Sequence, residues 1–153
     1  MKQLFKLITQ LESSIPDYEK TNASVSQSTI GWQIDHSLLV LIGVINELKK
    51  SNPDNYKWKF NKTRLLLTII NTIPRGKAKA PNSVNPSDNI TIEGLILKME
   101  LAKKQITDLE KLPAHSYFTH PIFGDLKLKS ALWFLNLHTR HHLKIIQDIQ
   151  KGA

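Results

Sequence analysis

The chain of 153 residues contains no cysteine. That absence removes a thiol nucleophile, a thiolate metal ligand and any disulfide, so a metal site in this sequence must be built from His, Asp, Glu and water. It is compatible with a reducing compartment. Long apolar runs are also missing. The longest, Leu38 to Ile45 with Gly43 inside it, falls far short of the ~20 residues that span a bilayer. Met1 to Ile15 alternates polar and apolar positions and includes Lys6, Gln10 and Glu12, without the unbroken apolar centre of a signal peptide. The expectation is a soluble, cytoplasmic protein without a membrane partner. Runs of one charge are absent too. Lys and Arg number 21 against 13 Asp and Glu, a formal net charge of +8, yet the densest cluster, Arg75-Gly-Lys-Ala-Lys79, holds three cations. Scattered charge of this kind reads as a solvated basic surface, and nucleic acid is not the expected partner. No internal repeat and no linker divides the chain, so residues 1–153 are expected to form a single domain.

What the sequence does have is helical periodicity. Leu4, Leu7, Ile8, Leu11 and Ile15 mark a first amphipathic helix, ended by Pro16 and followed by a polar loop from Asp17 to Ser28. A second helix runs from Thr29 to about Lys50, with Ser28 or Thr29 as its N-cap, and Ser51-Asn-Pro53 closes it. Asn55 to Phe60 alternates Tyr56, Trp58 and Phe60, the pattern of a short strand or of aromatics covering the helices. Leu65, Leu66, Ile69, Ile70 and Ile73 predict a short helix from about Asn61 to Ile73, stopped by Pro74-Arg-Gly76, and Arg75 to Asn89 reads as a surface loop. The third long helix extends from about Thr91 to Leu112 on a stripe of Ile92, Leu95, Met99, Ala102, Ile106 and Leu109, with Met99 as core filler. After Pro113, a loop containing His115, His120 and Asp125 leads into the last helix, which ends near Gln150. The expected fold is an all-α four-helix bundle with an extra short helix in the long crossover.

The last helix carries an anomaly. Its apolar stripe, Leu128, Ala131, Leu135, Ile145 and Ile149, is completed by His138 and His142. A spacing of four residues puts both imidazoles on one helix face. His36 sits on the inward face of the second helix with Trp32, Leu39, Val40 and Gly43. It lies about 10 Å from the start of that helix, at ~1.5 Å per residue, and His142 about 12 Å from the end of the last. If the two helices run antiparallel, the three histidines meet at one height. A buried histidine is more often a hydrogen-bonded core residue than a ligand. Three neutral imidazoles without a thiolate, however, suit Zn, Ni, Fe or Mn and leave coordination positions open, where a divalent ion lowers the pKa of water or a thiol. Asp35, Asn46 and Glu47 are candidate supporting groups, His141 belongs on the flank, and His115 and His120 are expected at the other end of the helices as loop structure, unless the loop folds back.

Trp32-Gln-Ile-Asp-His36, His120-Pro-Ile-Phe-Gly124, and Trp133 followed by His138-Thr-Arg-His-His142-Leu resemble, in this order and over about Ser28 to Ile149, the DinB/YfiT-like metalloprotein superfamily, in particular a bacterial branch of uncharacterised proteins. The resemblance implies a bundle of up-down-down-up topology, a divalent metal held by His36, His138 and His142, and often a homodimer. It also implies, by analogy with characterised relatives, a metal-dependent transferase or isomerase acting on a low-molecular-weight thiol. One departure is Lys127, where that branch commonly has a Thr capping the last helix, with Asp125 as a replacement cap. Two functional readings follow. The first is a metal-dependent enzyme, a thiol S-transferase or a hydrolase, that activates a thiol or water against a small electrophile. The second is a non-catalytic helical binding module whose basic surface takes an anionic partner.

Overall fold

The computed structural model describes residues 1–76, 84–86 and 89–152. Among them are five α-helices: α1 (Lys2–Glu12), α2 (Ile30–Lys50), α3 (Lys62–Ile70), α4 (Ile92–Asp108) and α5 (Leu128–Lys151). Their starts follow capping chemistry. Thr29 accepts the Trp32 N–H, Asn61 that of Arg64, and Thr91 that of Gly94, each satisfying a backbone donor that a helix start leaves free. α3 ends at Asn71, held at φ 48° in the left-handed region where Asn is better tolerated than most residues.

Helices α1, α2, α4 and α5 bury their apolar stripes against one another, with Leu4, Leu11, Ile34, Leu38, Leu41, Met99, Ile106, Ala131 and Ile149 almost fully enclosed. Met99 is core filler, as expected. Two cross-helix ion pairs set direction. Lys98 reaches Asp35 near the starts of α4 and α2, and Lys49 reaches Asp108 near their ends, so these helices point the same way. α5 runs against α2. Its residue His142 meets Gln33, while the chain just before α5 meets the end of α2 through the Tyr117 N–H and the Ser51 hydroxyl. No helix among the described residues is long and apolar enough to cross a membrane.

The expected all-α four-helix bundle requires correction. The segment before the last helix is not a loop throughout but forms an antiparallel hairpin, β1 (Tyr117–His120) and β2 (Gly124–Lys127), in the register Tyr117↔Lys127, Phe118↔Leu126, Thr119↔Asp125 and His120↔Gly124. Alternation explains it. Phe118 and Leu126 face each other and are buried, whereas Thr119 donates to the Asp125 carboxylate at 2.8 Å on the other face. Gly124, at φ +69°, adopts a backbone that few other residues tolerate. Asp125 therefore does not cap α5. Lys127 occupies the cap position without a side-chain hydrogen bond, and Asp125 instead accepts the Lys57 N–H at 2.8 Å.

The crossover also departs from expectation. Asn55 to Phe60 contains no strand, and Trp58 and Phe60 are exposed rather than covering the helices. α3 buries Leu67 alone. It is pinned instead by Arg64, whose guanidinium donates to the carbonyls of Lys59, Phe123 and Asp125. The loop expected from Arg75 to Asn89 lies largely outside the described residues.

Candidate metal centre

The antiparallel run of α2 and α5 brings His36, His138 and His142 together. Ring centroids are separated by 5.1 Å (His36–His138), 4.8 Å (His36–His142) and 4.5 Å (His138–His142). One ring nitrogen from each residue lies within 4.8 Å of the others, metal-binding distance once the side chains adjust. His36 and His142 are buried. His138 keeps some exposed surface, yet its Nδ1 is enclosed and has no hydrogen-bond partner among the described residues.

Outer contacts orient two of the rings. His36 Nδ1 donates to the Val84 carbonyl at 2.8 Å, and Trp32 stacks on the same ring at 4.9 Å with an interplanar angle of 15°. His142 Nδ1 donates to the Gln33 side-chain carbonyl at 2.6 Å, and the Gln33 amide in turn donates to the Ser26 hydroxyl at 3.2 Å. Both acceptors are carbonyl oxygens, so the proton resides on Nδ1 and the Nε2 lone pair is free. This is the arrangement in which an outer partner fixes the tautomer of a metal-binding histidine.

The electrostatics favour neutral rings. Burial lowers the His36 pKa, opposed by the Val84 hydrogen bond and the Asp35 charge. Burial, followed by the neighbouring histidines, holds His138 and His142 well below the usual range. At neutral pH all three lone pairs are available to a cation.

The other sequence candidates fall elsewhere. Asp35 is tied to Lys98, Asn46 accepts from Gln105 near the far end of α2, and Glu47 is exposed. Among the described residues no carboxylate joins the cluster. His115 is exposed. His141 lies on the flank, edge-on to His142 at 5.1 Å; its pKa is lowered by burial and then by Arg75, against a hydrogen bond with the Ile73 backbone. His120 is the main correction. It is not remote loop structure, because the hairpin folds it onto Phe134 at 4.7 Å, and Phe134 meets His138 at 5.5 Å.

Gln33 and Val84 were missed as partners. The signal for Gln33 was present, since a residue three before His36 shares its helix face. Nothing in the local sequence pairs Val84 with His36 across 48 positions. Comparison of the chain with protein-family models, curated proteins and solved structures finds no match.

Proposed function

We propose that this chain is a divalent-metal-binding protein related to the DinB/YfiT-like metalloproteins it resembles, and that it is a cytoplasmic enzyme activating a low-molecular-weight thiol, or water, against a small electrophile. His36, His138 and His142 would hold the ion, of the zinc, nickel, iron or manganese class. The observation that carries this reading is the convergence of three neutral imidazoles, two of them oriented through Nδ1 by Val84 and Gln33.

The donor set fits such an ion. Nitrogens ~2.0–2.1 Å from a tetrahedral centre lie about 3.3 Å apart, so small side-chain rotations suffice to close separations of up to 4.8 Å. The enclosed His138 Nδ1 is a second supporting feature, because an unpaired buried polar atom costs roughly 1–3 kcal/mol. When bound, the ion supplies Lewis acidity and lowers the pKa of a thiol or water. The chain contributes position and dryness. Val84 and Gln33 hold two rings in one tautomer, Trp32 fixes the plane of His36, and the buried Phe134 ring shields His138. Three protein ligands leave coordination positions for a substrate, unlike the closed four-ligand set of a structural zinc site.

Screening metal-loaded protein against a panel of thiols and electrophiles tests the catalytic part. The expected result is turnover above the protein-free rate that disappears on chelation and returns on reloading. Rates equal to the protein-free background across the panel would count against the thiol-transfer reading.

A further inference from the structure

A second polar site adjoins the histidine cluster. The segment after α3 folds back on α5 and forms with it a partly open pocket of about 180 Å³ lined by Asn71, Ile73, Arg75, Arg140, His141 and Lys144, among others. That volume far exceeds the ~10–15 Å³ that admits one water. Two contacts tie its walls together: Arg75 to Asp148 at 2.6 Å, and Arg140 to the Asn71 side-chain carbonyl at 3.0 Å.

Its charge is unbalanced. Arg75, Arg140 and Lys144 contribute three permanent cations, and of these Arg75 is paired with a carboxylate, that of Asp148. Arg140 spends one donor on a neutral amide and keeps others free, and no ion pair is formed by Lys144 among the described residues. Guanidinium and ammonium groups converging on a recess are the recognition chemistry of carboxylate and phosphate. A recess of this size suits one such group on a small molecule rather than the repeated phosphates of a nucleic acid. The pocket is also close to the cluster, since His141 lines it and meets the His142 ring at 5.1 Å.

We propose that Arg75, Arg140 and Lys144 form an oxyanion-binding pocket beside the histidine cluster, which takes the carboxylate or phosphate group of a small-molecule substrate. Its role as a substrate anchor rests on the metal-centre reading; its capacity to bind an anion does not.

Titration of inorganic phosphate and of succinate into the full-length protein, at constant ionic strength and followed by calorimetry, tests the site. Saturable binding is expected. Arg140→Gln and Lys144→Gln should each weaken it about tenfold, and Lys111→Gln, at an exposed position paired with Asp108, should leave it unchanged. Lys144 is exposed and forms no ion pair among the described residues, so its variant is expected to keep the parent melting temperature. The tighter of the two probes identifies the group recognised. His138→Ala removes a metal ligand on the reading above, so phosphate binding that persists in it and still depends on Lys144 separates this pocket from the metal. Failure of metal binding would leave that result intact. Absence of saturable binding, or equal weakening by Lys111→Gln and Lys144→Gln, would overturn the proposal.

Discussion

His120 and the three clustered histidines show two ways in which this chain encloses an imidazole. At His120 the ring stacks on Phe123 at 4.2 Å, and Nδ1 accepts the backbone N–H groups of Ile122 and Phe123 at 3.1 and 3.2 Å. Its polarity is used locally, to shape the reversal between β1 and β2. In the cluster, the outward nitrogens of His36 and His142 donate to Val84 and Gln33, while one nitrogen from each of the three rings faces the others. The turn thus holds His120 through Nδ1. In the cluster the protons of His36 and His142 are drawn outward, as outer partners do for metal-binding histidines, and their Nε2 lone pairs are left unprotonated.

Removing one member from each environment is the sharpest way to break that comparison. His138→Ala is expected to reduce metal affinity by more than a hundredfold in calorimetric titrations of stripped protein, whereas His120→Ala should change it less than threefold and lower the melting temperature instead. Equal losses of affinity would erase the distinction. A smaller effect is expected at the outer contact. Gln33→Leu takes away the acceptor of the His142 Nδ1 proton and should weaken metal binding by ~10–100-fold, and Gln33→Glu, which keeps an acceptor oxygen, should restore most of the loss.

Acid should act on both environments, and the sign follows from linkage. Burial lowers the pKa of His36, His138 and His142, and takes that of His120 to about 4. The unfolded chain therefore takes up protons first, near the ordinary value of ~6.5. The stability these residues contribute is fully present above that pH and is lost as pH falls toward the depressed folded values. Metal-free protein should melt several degrees lower at pH 4.5 than at pH 7.5, and His120→Leu should show a shallower decline. A flat profile would contradict the neutral, desolvated state assigned to these rings.

The parts of this architecture that were legible in the sequence depend on short-range rules. A spacing of four placed His138 and His142 on one face, and a rise of ~1.5 Å per residue brought His36 to their height. Thr29 and Thr91 were readable as helix starts because capping is local chemistry. The hairpin was not legible. Its strands have four residues each and contain His120, Thr119 and Asp125, so their alternation is too short to outweigh the turn-like His120-Pro-Ile-Phe-Gly124. The hairpin folds His120 back toward α5, so its distance from the cluster does not follow from its position along the helix axis. The pocket beside His141 was hidden for a related reason. Arg75 is scattered from Arg140 and Lys144 in sequence, and only the return of the chain after α3 gathers them. α3 itself followed its periodicity, but periodicity does not supply a partner, and Leu65, Leu66, Ile69 and Ile70 remain exposed.

The central claim, that His36, His138 and His142 are a ligand set, is tested most directly by the metal content of untagged protein prepared without a metal-affinity column, measured by elemental analysis before and after chelation. The expected result is close to one divalent transition metal ion per chain, lost on chelation together with several degrees of melting temperature. Protein that is metal-free as prepared, binds none of the four candidate ions on addition and melts at the same temperature with or without chelator would contradict it.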